Sequence, residues 1–255
     1  MVTSFKGGME KQRIKYLESR DNGNNIFYVQ QSSFSQIPGM PIAYWCSKVL
    51  LEAFDKVPKL SVDYEVRNGI TTGDNNLFLR LWYEVSNRLK WLPCNKGGSY
   101  RKWAGNRDYV VDWKDDGFNL KNYKDKNGKL KATLRGIDHN FCAGITMSRI
   151  TSGEPSFRYM YDDTISESAT NAIYPKGNDL IDIYSVLGLL NSKVGAYILN
   201  IMNPTINVVP DDLRNIPLKG SDDSIIKMVK DNIAISETDW DSFETSWDFK
   251  KHPLI

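Results

Sequence analysis

Apolar residues recur at steps of three and four between residues 182 and 203: Ile183, Val186, Leu187, Leu190, Val194, Tyr197, Ile198 and Ile201. That period lines one face of a helix. Asn191-Ser192 interrupts it and predicts a capped break between two helices. Behind Pro41, the residues Ile42, Trp45, Val49 and Phe54 repeat at near-helical spacing, which predicts a core-facing helix stopped by Pro58. A shorter helix is expected over residues 9–19. Strand patterns occupy residues 26–31, 108–113 and the two halves of 143–161, the last pair joined at Ser152-Gly153-Glu154-Pro155. Lys126-Asn127-Gly128-Lys129 marks a tight hairpin turn, and residues 67–82 read as a turn-rich loop between strand-like segments. Near the end, Trp240, Phe243 and Trp247 stand at helical spacing and predict a packing face.

Composition narrows the classes. At 255 residues the chain is long enough for one large domain or two small ones, and its 41% hydrophobic content supplies a sizeable core. No apolar run approaches membrane-spanning length, and the start carries no signal-peptide core. Cys46, Cys94 and Cys142 are odd in number and widely spaced, so neither a disulfide framework nor a metal box is expected, and a cytoplasmic location is the simplest. With only His139 and His252, a histidine-based triad is poorly supplied.

The net charge of +2 does not announce an anionic partner, but its distribution does more. Residues 80–135 hold 14 Lys and Arg against 6 Asp and Glu, while residues 136–255 hold 10 against 17. A basic middle beside an acidic C-terminal part gives one face for an anion, although charge runs also serve as solvated faces. Within the middle, residues 91–113 interleave Lys96, Arg101, Lys102 and Arg107 with Trp91, Tyr100, Trp103 and Tyr109 around Gly97-Gly98. Basic groups neutralise phosphates, and paired glycines let a backbone approach closely. Trp103 and Tyr100 are expected to buttress the glycine turn rather than stack on bases.

The loop around Gly69 and Gly73 carries Thr71, Thr72, Asp74, Asn75 and Asn76. It lacks the Gly-Lys-Ser/Thr of a phosphate-binding P-loop and the third glycine of a dinucleotide fingerprint. Asn and Thr can read adenine edges and thymine methyls, and they can equally close turns on their own backbone. Arg149 and Arg158 flank the 152–155 turn, where each could fork onto a guanine or pair with a carboxylate. Complete catalytic motifs are missing. Met202-Asn203-Pro204-Thr205 lacks the second proline and the aromatic residue of an amino-methyltransferase loop. Asp211-Asp212 and Asp222-Asp223 sit near turns and are expected to be solvated or to cap helices.

Six strings, in this order, resemble one family: FYVQQSSFSQIPGMPIAYW (27–45), VRNGITTGDNNLFLRLW (66–82), NKGGSYRKWAGN (95–106), ITMSRITSGEPSFRY (145–159), LLNSKVGAYILNIMNPTIN (189–207) and DWDSFETSWDFKKHPL (239–254). They are similar to the region that follows the catalytic domain in PglX-type adenine-specific DNA methyltransferases of BREX phage-defence systems, which in turn resemble type IIG restriction-modification enzymes. The resemblance implies an α+β target recognition domain like those of type I specificity subunits, with a mixed or antiparallel sheet, packed helices and a C-terminal helical segment. It implies a lead-in over residues 1–58, the recognition domain over 59–220, and the start of a helical region over 221–255. The chain would then lack the catalytic half, to which S-adenosylmethionine belongs, and would itself hold no cofactor and no metal.

On that footing Lys96, Arg101, Lys102 and Arg107 are expected to grip phosphates, which positions a reader without specifying sequence. Thr71, Asn75, Asn76, Arg149, Ser152 and Arg158 are the candidates for base edges. The expected partners are double-stranded DNA and the methyltransferase catalytic domain. A second reading is a protein-interaction module that docks other BREX proteins or a DNA-mimicking phage inhibitor, motivated by the acidic C-terminal part and its aromatic residues.

Overall fold

The computed structural model describes residues 8–23, 27–151, 153–177, 181–220, 222–252 and 254–255. Two compact units emerge, residues 1–57 and 58–255.

In the first unit, α1 (Met9–Asn22) runs one turn beyond the expected helix and ends at Gly23, whose left-handed backbone closes it. Two expectations fail here. Residues 27–30 form no strand; a 3-10 segment, Gln31–Gln36, follows them instead. The helix behind Pro41 also starts late, as α2 (Lys48–Lys56), because the Ser47 hydroxyl accepts a hydrogen bond from the Leu50 N–H and sets the first turn there. Ile42 and Trp45 therefore fall outside the helix. Both are exposed, as is Val49, so the apolar repeat that seemed core-facing spans a cap and forms no single face.

The second unit is α+β, as the resemblance implied, and is built on two four-stranded sheets. In the first, β1 (Tyr64–Asn68), β8 (Thr170–Pro175), β5 (Gly144–Ser148) and β6 (Phe157–Met160) are antiparallel in that order. Register is set by Val66 opposite Ile173, Ile145 opposite Ile173, and Met147 opposite Phe157, all buried. The second sheet runs β2 (Leu79–Leu81), β4 (Tyr109–Asp112), β3 (Trp91–Asn95) and β7 (Ile165–Ser166), with β3 and β7 parallel. Residues 167–169 carry the chain from β7 directly into β8 and so from one sheet to the other. Beneath the second sheet, Ile70, Phe78, Cys94, Val111, Trp113, Ile165 and Leu120 of α4 (Lys114–Lys121) form a continuous buried cluster.

The helical repeat behaves as the sequence predicts. Helices α5 (Ile181–Asn191) and α6 (Lys193–Met202) meet at 73°, and the Ser192 hydroxyl caps α6 by accepting from the Gly195 N–H. Ile183, Leu187 and Leu190 are fully buried where α5 packs on β6, contributing about 1.5–3 kcal/mol each. The C-terminal helix α8 (Asp223–Trp240) lies along α5 at Gly188, where a Cβ would stand 3.0 Å from the Val229 side chain. Asp222 caps α8 and Asp212 caps the short α7 (Pro210–Arg214), the structural use expected of these carboxylates. Among the described residues no single helix is long and apolar enough to cross a membrane.

The terminal aromatics do not share a helix, which ends at Trp240. Trp247 instead stacks on Trp82 with ring centres 6.0 Å apart, and the Trp82 indole N–H donates to the Thr245 carbonyl. Phe243 is exposed.

Candidate nucleic-acid interface

A cleft of about 540 Å³ opens where the ends of β3 and β5, the 167–169 link, the start of the one-turn helix α3 (Asn75–Phe78) and the segment 206–207 converge. Its lining includes Asn75, Lys96, Ser148, Arg149, Glu167 and Asn207. Three of the residues predicted from sequence, Asn75, Lys96 and Arg149, are thus brought into one place.

Each is positioned by its neighbours. Lys96 leaves the end of β3 and carries its ammonium 4.8 Å from the centre of the Tyr109 ring. After it the chain turns through Gly97 and Gly98, at φ of +81° and +121°, which only glycine adopts without strain. The hydrogen bonds holding this turn come from Ser148, whose hydroxyl donates to the Gly98 carbonyl (3.0 Å), and from Asn106, whose amide donates to the Ser99 carbonyl (2.9 Å). Of the two aromatics expected to buttress the turn, Tyr100 is exposed, while the Trp103 backbone pairs with Phe157 and Tyr159. Arg149 is fixed by its backbone, which bonds Ala169 and Val208, and by its Nε, which donates to the Asn207 side-chain carbonyl at 3.1 Å. Glu167 is buried at the cleft, where its carboxylate accepts from the Ala169 N–H and the Ser168 hydroxyl, both at 2.8 Å.

The Asn-rich loop is built from its own side chains. The Thr72 hydroxyl donates to the Asn75 side chain at 2.6 Å, and Asp74 caps α3 by accepting from the Leu77 N–H. Thr71 exchanges both backbone hydrogen bonds with Thr133. Asn75 and Asn76 are both exposed on this loop, but only Asn75 is in the lining of the cleft.

The loop in turn touches a feature that the sequence reading did not select. The Tyr123 hydroxyl donates to Asp74 at 3.3 Å and accepts from the Lys131 ammonium at 3.0 Å. That hydrogen bond raises the Lys131 pKa above the usual lysine range. Lys131 belongs to the hairpin around Gly128, where the Asp125 carboxylate accepts from the backbone N–H of both Asn127 and Lys129. Lys124, Lys126, Lys129, Lys131 and Arg135 are all exposed, with Asp125 the one acidic residue among them and already occupied by the turn. The signal is present in the sequence as five cations in the twelve residues 124–135.

Three other predicted cations are spent inside the protein. Arg101 pairs with Asp239 at 2.8 Å and lies over the Trp240 ring. Lys102 donates to the Asn191 backbone carbonyl at 2.9 Å, and Arg107 pairs with Asp163 at 2.6 Å over the Tyr161 ring. Their aromatic spacing reports internal cation–π packing. Arg158 is 1% exposed, so this placement makes it a structural cation rather than a surface reader. Its guanidinium donates to the Arg101 carbonyl, and burial, with the Arg101 charge, lowers its pKa to about 10. Ser152 lies outside the described residues.

The arrangement joins an exposed lysine-rich arm, through a loop, to a polar cleft with amide, guanidinium and ammonium donors. No family model matches the chain. Over 234 residues, 88% of the chain, it is 36% identical to the adenine-specific methyltransferase BrxX of Escherichia coli O9:H4 (strain HS). Over 251 residues, 92% of the chain, it is 34% identical to the adenine-specific methyltransferase PglX of Lacticaseibacillus casei (strain Zhang). The chain spans about a fifth of the length of these curated relatives, 19% and 21% respectively.

Proposed function

We propose that this chain is a double-stranded DNA recognition segment which directs an adenine-specific methyltransferase to its site, in phage defence. The observation that carries this reading is the unbroken run from the exposed lysine hairpin, through Tyr123 and Asp74, to a cleft lined by Asn75, Lys96 and Arg149. Lys96 and the hairpin cations take phosphates, which fixes register on the duplex. Arg149 suits a guanine O6/N7 edge and Asn75 an adenine N6/N7 edge, with Asn76 and Thr71 on the same loop as Asn75. Arg101, Lys102, Arg107 and Arg158 serve the fold. Methyl transfer from S-adenosylmethionine falls to another part of such an enzyme. The similarity to two methyltransferases supports the reading, as does the local charge of the hairpin.

Selection of bound duplexes from a randomised pool by the purified chain, at two salt concentrations, tests it. An enriched motif that survives the higher salt is expected. Failure to retain any duplex at low salt would overturn the proposal.

A further inference from the structure

The cleft has one feature that hydrogen bonding does not explain. Ile150 and Ile206 both line it, yet they are 67% and 62% exposed. They sit on a small antiparallel ribbon in which the Val208 N–H donates to the Arg149 carbonyl (3.0 Å) and the Thr151 N–H donates to the Ile206 carbonyl (2.9 Å). Ile150 is paired with Asn207, the residue that orients Arg149. Two branched apolar side chains therefore stand in water in the lining of the cleft that Arg149 shares.

We propose that Ile150 and Ile206 are specificity residues that contact the C5-methyl of thymine in the major groove. The inference rests on the DNA-recognition reading above. In that groove, donors and acceptors identify purine edges, whereas thymine is marked by an O4 acceptor and a methyl group, which an apolar side chain reads. A duplex is the occupant that fits, because the cleft holds the cations of Lys96 and Arg149 against the one carboxylate of Glu167, which Ser168 and Ala169 already occupy. The lysine hairpin is linked to its Asn75 loop through Tyr123 and Asp74, which also favours an anionic partner. Covering them against a methyl removes apolar surface from water on both partners, at about fourfold in affinity per methyl group.

The test uses the full chain and duplexes selected from a random pool, remade with deoxyuridine in place of thymine. Wild type is expected to bind the uracil duplex about fourfold more weakly for each methyl contacted. Ile150→Ala and Ile206→Ala, both at exposed positions, are expected to weaken binding to the thymine duplex and to lose that discrimination. Equal affinity of the wild type for both duplexes overturns the inference while leaving DNA recognition intact. So do variants that keep the wild-type ratio, or that lose affinity equally on both duplexes, as a wedge between base steps would. Retention of no duplex of either kind removes the DNA reading itself.

Discussion

The side-chain amide of Asn191 bonds both backbone groups of Phe157, accepting from its N–H at 3.0 Å and donating to its carbonyl at 2.9 Å. A residue at the end of α5 thereby does for the edge of β6 what another strand would do. Phe157 is fully buried, so water cannot replace these partners. Asn191→Leu leaves the Phe157 N–H unpaired and is expected to cost about 1–3 kcal/mol. The midpoint of urea unfolding reads this directly, and an unchanged midpoint would sink the assignment.

Arg101 was expected to hold phosphate, and its carboxylate partner Asp239 gives it a different role. Its charge is compensated and its guanidinium covers Trp240, so the side chain ties α8 to the segment after β3. The Ser236 hydroxyl, donating to the Lys102 and Ala104 carbonyls at 3.1 Å, ties the same two elements. Arg101→Ala should therefore lower the melting temperature without changing the salt dependence of duplex binding. A partly exposed pair of this kind is worth at most about 1 kcal/mol, so most of the loss comes from packing on Trp240. A flattened salt slope at unchanged melting temperature would return Arg101 to the phosphate contacts.

Glu237 provides a pH-dependent check on the same junction. Burial, followed by the Asp241 charge, raises its pKa, while Arg107 pulls the other way. A carboxyl whose pKa is higher in the folded state opposes folding wherever it is charged, that is, above its folded pKa. The penalty disappears once pH falls below its unfolded value. Glu237→Gln should accordingly melt at a higher temperature than the wild type at neutral pH, with the two converging as pH drops through the carboxylate range. Parallel melting curves at all pH values would show that the charge is not what matters.

Much of the second unit was legible in the sequence because its signals were local. The α5–α6 repeat with its Ser192 cap, the β5–β6 pair and the 126–129 turn each carry their own periodicity or turn chemistry. Errors arose where spacing was asked to stand for tertiary environment. Ile42, Trp45 and Val49 repeat like a helix face but straddle the Ser47 cap. Arg101, Arg107 and Arg158 look like free cations in one dimension, yet find Asp239, Asp163 and the Arg101 carbonyl 138, 56 and 57 residues away in sequence. The cleft was half-visible for the same reason. Asn75, Lys96 and Arg149 could be named from their chemistry, but Glu167, Asn207 and the two isoleucines enter only through strand order.

The exposed hairpin offers the sharpest separation of binding from folding. Lys126 and Lys129 flank a turn held by Asp125 and Gly128, and neither side chain is needed for the bonds that close it. Replacing either by Ala should leave the melting temperature within the small range of ordinary surface changes. If the hairpin grips phosphates, each loss removes about one displaced counterion, so the slope of log affinity against log salt falls by about one unit per lysine. The loss should be uniform across duplex sequences, because phosphates carry no base information. The preferred motif in a pool selection should accordingly persist in the double variant while affinity drops. Arg149→Ala should do the reverse, changing which bases are enriched with a smaller effect on the slope. A motif that shifts with the lysines, or a slope indifferent to both of them, would move the phosphate contacts elsewhere on the protein.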